Sequence, residues 1–236
     1  MDRIRSVIRR GLRAVGLSKI HHPAITDFIR HEGIRTVFDV GANVGHYGVE
    51  LREGGYRGRI ISFEPAAKAF AALSARSLRD RRWDAFQLGI GDQAGELSLT
   101  VTEADVFSSF KPPTDYTANK FVGAREAHRE LVPVVRLDKF VAERPSVTSE
   151  TPLYLKIDTQ GFEREVLAGT GALLSTFRAV QLELPLRKLY QGQQDWREIV
   201  GFMAGRGFDI AMAKENGFDW DAMRLLELDV VFIARG

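Results

Sequence analysis

The chain has 236 residues, 33 Lys plus Arg against 31 Asp plus Glu, and no cysteine. Disulfides, thiolate nucleophiles and Cys-ligated zinc are excluded, and no apolar run reaches the roughly 20 residues that span a bilayer. With 44% apolar and 27% charged residues, the composition suits one α/β domain with a buried core.

The formal charge of +2 is unevenly placed. Residues 1–20 carry Arg3, Arg5, Arg9, Arg10, Arg13 and Lys19 against Asp2, a net of +5, and the remainder is −3. A nucleic-acid reader spreads basic residues over a face, so no nucleic-acid partner is expected for the body. In the arm, Ile4, Val7, Ile8, Leu12 and Val15 recur at helical spacing between the arginines, which predicts an amphipathic basic helix. Such a helix suits an anionic membrane surface, a partner or second subunit, or the face of its own domain. Lacking a secretory signal pattern, the chain is expected in the cytoplasm, at most peripheral to a membrane.

A second short helix is predicted from Pro23 to Gly33, making residues 1–33 a helical extension before a body of 34–236. Strands and helices then alternate. Thr36 to Val40 reads as a strand, Asn43 to Glu53 as a helix closed by Gly54-Gly55, and Arg59 to Phe63 as a strand. Ala66 to Leu78 reads as a helix, and Trp83 to Ile90 and Glu96 to Val101 as strands. Residues 103–131 show no sustained period and form a long excursion. Strands follow at Pro133 to Leu137, Leu153 to Ile157 and Val180 to Leu184, with helices at Glu163 to Leu174 and Trp196 to Gly205. Phe208 to Ala213 and Asp229 to Ile233 are the last strands. This alternation predicts a mostly parallel sheet with helices on both faces.

The most informative stretch is Phe38-Asp39-Val40-Gly41-Ala42-Asn43-Val44-Gly45, a strand entering a glycine turn and then a helix. In an open α/β sheet the ligand sits beyond the carboxyl ends of the strands. Gly41 lets backbone approach a ligand, and Gly45 lets the helix start close to the sheet. The pattern is G-x-x-x-G, not the G-x-G-x-x-G that cradles a pyrophosphate. Asp39 at the strand end offers an anion to a positive ligand group. Glu64, ending Ile60-Ile61-Ser62-Phe63-Glu64-Pro65, offers two oxygens to ribose hydroxyls. Gly91-Asp92 follows the next strand, where an adenine amino group would lie. An adenosine carrying a sulfonium and an amino acid, S-adenosylmethionine, fits this set.

At these residues the chain resembles the class I methyltransferases, and more narrowly the FkbM-type S-adenosylmethionine-dependent O-methyltransferases. The resembling segments include V-F-D-V-G-A-N-V-G at 37–45, I-I-S-F-E-P at 60–65, L-G-I-G-D at 88–92 and Ser108-Ser109. They continue with V-V-R-L-D at 134–138, L-Y-L-K-I-D-T-Q-G-F-E at 153–163, V-L-A-G at 166–169, Q-L-E-L at 181–184 and L-D-V-V-F at 228–232. The resemblance implies a Rossmann-like sheet of seven strands, the last antiparallel and paired in a hairpin with the strand before it. Asn216-Gly217 is compatible with that hairpin, although residues 214–227 are too many for a tight turn. It also implies Asp39, Gly41 and Asn43 around the methionine, Glu64 on the ribose, and Ile90 and Asp92 near the adenine.

Lys156, Asp158, Gln160 and Glu163 cluster at the end of a later strand, with Lys156 and Asp158 on the same side. Methyl transfer from a sulfonium needs an aligned acceptor oxygen and removal of its proton. Asp158 is the candidate base, with Lys156 as its electrostatic partner or, with a depressed pKa, an alternative base. Glu183 ends the next strand facing the same cleft, and Asp158 with Glu183 would suit a divalent cation. Glu163 reads as an N-terminal helix residue, and His46 as a surface or capping histidine ahead of a base near the methyl group. In the excursion, Phe107, Ser108, Ser109, Phe110, Tyr116 and Phe121 suit a cover over a small-molecule, sugar or glycoconjugate acceptor. The rival readings are a binding protein that keeps the fold without chemistry and a nicotinamide-dependent oxidoreductase, the latter disfavoured by the missing G-x-G-x-x-G.

Overall fold

The computed structural model describes residues 23–236. The basic arm and its expected amphipathic helix lie outside the described residues. The first helix, α1 (Ile25–His31), puts Ile29 into the core beside Ile34, Leu51 and Tyr56, so it is packed into the helical layer.

Strand β1 (Thr36–Val40) is buried along its whole length between β2 (Arg59–Phe63) and β7 (Leu153–Ile157), both parallel to it. Helices cover both faces, which is why β1 and β7 read as nearly unbroken apolar runs. The seven-stranded order is β3-β2-β1-β7-β8-β10-β9, with β3 at Trp83–Phe86, β8 at Phe177–Pro185, β9 at Phe208–Asp219 and β10 at Arg224–Ala234. Only β10 runs against the others, inserted between β8 and β9 by a hairpin. The chain builds outward from β1 to β3 and then resumes on the other side of β1 with β7. That reversal of strand order is where an open α/β sheet opens a crevice at its carboxyl edge.

Helix α2 (His46–Glu53) lies close on the sheet for a reason visible in its glycines. A Cβ on Gly48 would stand 2.3 Å from the Trp83 ring, and one on Gly45 2.9 Å from Leu73 of α3 (Ala67–Ser77). Gly45 also has φ +87°, as the entry turn requires.

Several expected boundaries shift. The strand expected at 83–90 divides into β3 and a two-residue β4 (Gly89–Ile90), which joins β5 (Gly95–Thr102) and β6 (Glu126–Val135) in a second, three-stranded sheet. The excursion is therefore partly regular. It holds helix α4 (Asp115–Lys120) and the first residues of β6, whose exposed, polar outer positions conceal its strand period. Leu137 opens helix α5 (Leu137–Glu143) instead of ending a strand. The helix at 163 stops as α6 (Glu163–Thr170), and a 3-10 segment continues to Thr176. Asn216-Gly217 lies within β9, not in the hairpin turn, which is formed by residues 220–223. Helix α7 (Trp196–Gly205) follows the expected bounds.

Candidate active site

The ends of β1 and β7 meet side by side, since the Asp158 N–H donates to the Val40 carbonyl at 3.0 Å. Gly41 follows with φ +76°, and a Cβ there would fall 1.8 Å from the Asp158 carbonyl oxygen. The absent side chain thus serves this strand-end approach, and Gly41 also lines the neighbouring cavity.

Beside this turn, the Glu64 carboxylate is tied at both oxygens. The Asn43 N–H donates to Oε2 and the Ala66 N–H to Oε1, each at 2.8 Å. Asn43 sits at φ +48°, which aims its N–H across the crevice. Burial pushes the Glu64 carboxyl up to about 7, opposed by these two N–H donors and by the Lys156 cation. Each Glu64 oxygen retains acceptor capacity toward the cavity it lines.

That cavity has a volume of about 520 Å³. Leu88, Ile90, Leu99 and Phe110 make an apolar end, and Asp158, Gln160, Glu183 and Glu227 a polar one. A wider groove shares Gly41, Asn43, Asp158 and Glu183 and continues past His46 and Tyr47. Ile90 lines the cavity and Asp92 does not. The Asp92 carbonyl accepts from the Arg136 guanidinium at 2.8 Å, and Gly91 is pressed onto α6 at Gly169.

Asp39 does not line the cavity either. It is fully buried beneath the turn, where Lys156 Nζ stands 3.1 Å from Oδ1 and the Ser62 hydroxyl donates to Oδ2. The Trp83 indole N–H donates in turn to Ser62, so a polar chain runs from the sheet edge to Lys156. Lys156 Nζ lies 3.4 Å from Asp158 and donates to the Gly41 carbonyl at 2.9 Å. Burial alone would lower the Lys156 pKa, but Asp39 and Asp158 outweigh it and hold the ammonium well above its usual range. Lys156 is thus tied as a cation to Asp39, Asp158 and the Gly41 carbonyl.

Gln160, at φ +54°, joins the carboxylates. Its Nε2 donates to Asp158 at 2.9 Å and to Glu183 at 2.8 Å, while its Oε1 accepts from the Tyr190 hydroxyl at 2.7 Å. The other Glu183 oxygen accepts from Asn216 at 2.6 Å. Burial and the nearby Asp158 carboxylate push Glu183 well above the usual carboxylate range. Asp158 and Glu183 thus share an amide rather than converge on a cation, and no group of three or more His, Cys, Asp or Glu among the described residues is arranged to hold a metal. Glu163, buried at the start of α6, accepts from the N–H groups of Thr159 and Gly161 and shapes the turn. His46 is exposed on the first turn of α2.

Phe107, Ser108, Ser109, Phe110 and Phe121 line the cavity. The two serines are spent on anchoring. Ser109 donates to the Gln160 carbonyl at 2.6 Å, and Ser108 accepts from the Thr102 N–H at 3.2 Å. Tyr116 points elsewhere, bonding Asp219 with Arg187 stacked on its ring. Sequence reasoning missed Tyr190 and Glu227. Glu227 alternates with Asp229 along one strand, a period-two signal for a shared face, but only the register opposite Asn216 and Pro185 brings it to the cavity.

A nucleoside-sized cavity at the switch point, with a backbone-anchored carboxylate after the second strand, defines a class I methyltransferase site. A family model described as the methyltransferase FkbM domain matches residues 39–210. Over 208 residues the chain is 30% identical to the 31-O-demethyl-FK506 methyltransferase FkbM of Streptomyces tacrolimicus, spanning 77% of this chain and 75% of that protein. Over 212 residues it is 22% identical to the 2-O-methyltransferase NoeI of Sinorhizobium fredii, spanning 87% and 84%. The methyltransferase domain of bacterial CtHen1 shares the fold with TM-score 0.51 at 10% identity, over 90% of this chain and 95% of that one. The chain belongs to the FkbM methyltransferase family and is an S-adenosylmethionine-dependent O-methyltransferase. The oxidoreductase reading falls with that assignment.

Proposed function

We propose that the 520 Å³ cavity holds the adenosine of S-adenosylmethionine and that the acceptor is a hydroxyl of a small molecule, sugar or glycoconjugate. The observation that carries this reading is Glu64, whose two anchored oxygens face the cavity as a pre-set receptor for ribose hydroxyls. Leu88, Ile90 and Phe110 supply the apolar slot an adenine needs, and the 41–43 turn runs toward the methionine end. When bound, the cofactor supplies a methyl group on a positively charged sulfur.

The chain's own residues then have two tasks. Alignment of the acceptor by the rigid 158–160 turn accounts for the larger share, at most about 7–11 kcal/mol. Proton removal by a positioned base adds about 10²- to 10⁴-fold. Asp158 is the base by elimination. Lys156 is a fixed cation, Glu183 is buried with its two oxygens taken by Gln160 and Asn216, and Asp158 keeps a partly exposed carboxylate at the cavity wall. The second carboxylate thus orients Gln160 and Asn216 instead of taking the proton. Replacing Asp158 with Ala is expected to lower kcat by 10²- to 10⁴-fold without abolishing turnover, with S-adenosylhomocysteine affinity within threefold. An Asp158→Ala enzyme with unchanged kcat removes Asp158 from this role.

A further inference from the structure

Glu227 is an acidic group at the cavity that the reading above leaves without a role. It is 8% exposed, and its Oε1 has no hydrogen-bond partner among the described residues. It lines the same cavity wall as Asp158 and Glu183. An unpaired buried carboxylate opposes folding, and Asp158, Asp229 and Glu163 nearby add like-charge repulsion. A hydroxyl at that atom would be an effective partner. The rest of the wall points the same way. Glu64, Asp105, Asp158, Glu183 and Glu227 line the cavity, and no Lys, Arg or His does so among the described residues. Phe107, Phe218 and Leu226 add apolar surface of the kind that covers the C–H face of a ring.

We propose that Glu227 binds a second, non-reacting hydroxyl of the acceptor, and that the acceptor is a neutral polyol rather than an anion. The proposal rests on the cofactor placement above. With Glu64 taken by the ribose, a phosphate or carboxylate on the acceptor would meet Asp158, Glu183 and Glu227, and the Lys156 ammonium beside them is already engaged by Asp39 and Asp158. A neutral ring bearing neighbouring hydroxyls would give Glu227 its missing donor while another hydroxyl faces Asp158.

The test combines cofactor binding with acceptor kinetics. S-adenosylhomocysteine is titrated calorimetrically into wild type, Glu227→Gln and Glu227→Asp. Transfer of labelled methyl is then measured on neutral methyl hexosides, a methyl 6-deoxyhexoside, a neutral polyhydroxylated macrolide and the matching methyl hexuronosides. We expect neutral acceptors to exceed the uronosides at least tenfold in kcat/KM. Glu227→Gln should raise KM for neutral acceptors at least tenfold, with kcat within threefold and S-adenosylhomocysteine affinity within twofold. Its Tm should be equal or higher, because a merely structural residue would lower Tm and leave KM alone. Glu227→Asp should recover part of the KM loss. Equal or better use of uronosides, no turnover of any neutral member by an enzyme that binds S-adenosylhomocysteine, or an unchanged KM in Glu227→Gln overturns the proposal. Failure of wild type to bind S-adenosylhomocysteine overturns the cofactor placement and this proposal with it.

Discussion

Replacing Glu64 with Gln isolates the ribose contact on which the cofactor placement depends. In the native turn, the two oxygens accept the Asn43 and Ala66 N–H groups at 2.8 Å each. An amide cannot accept at both positions, so one backbone N–H would face an NH₂ donor, and the charge offered to the ribose is gone. A hydrogen bond to a charged group contributes about 1.5–3 kcal/mol, so the dissociation constant for S-adenosylhomocysteine should rise about 10- to 150-fold. Isothermal titration calorimetry measures this directly, with a thermal melt to show that the variant remains folded. A dissociation constant within threefold of wild type would refute the reasoning, because the ribose would then lie elsewhere.

The ionisation of Glu64 also links binding to pH. Its carboxyl is raised to about 7 in the free protein, and ribose donors favour the ionised form. S-adenosylhomocysteine should therefore bind about tenfold more weakly at pH 6 than at pH 8. Because the raised group is a carboxyl, its contribution to the stability of the ligand-free fold falls as pH rises from its ordinary value toward 7. A pH-independent affinity between 6 and 8 would contradict this, and Glu64→Gln should flatten the profile. Lys156→Met leaves Asp39 buried without its cation, a loss of about 3–5 kcal/mol read as a lower urea midpoint. An unchanged midpoint would mean that the Lys156–Asp39 pair contributes nothing to stability. Gly41→Ala must fit a Cβ 1.8 Å from the Asp158 carbonyl at φ +76°. It should cost about 3 kcal/mol or more and lower Tm and cofactor affinity together; a wild-type melt would show that the two strand ends can separate.

Much of the central sheet was legible because its pattern is local. β1, β2 and β7 are short apolar runs ended by Gly, Glu or Asp, and the observed strands match their expected bounds. The place of Glu64 at the cavity was readable for the same reason, since a carboxylate directly after a strand needs no knowledge of register. The exposed first half of β6 and the hairpin extension through Asn216 were not readable, because pairing partners rather than apolar period define them. Side-chain surroundings were illegible where a tertiary neighbour intervenes: Lys156 and Ser62 enclose Asp39, and Arg136 holds the backbone carbonyl of Asp92. Glu227 needed the antiparallel register of β10 to be found at all.

A crystal structure with S-adenosylhomocysteine tests the central claim most directly. We expect the adenine against Ile90 and Phe110, both ribose hydroxyls within hydrogen-bond distance of Glu64, and the sulfur facing the Asp158–Gln160 edge. Density for the nucleoside outside this cavity, or a ribose out of reach of Glu64, would contradict the account.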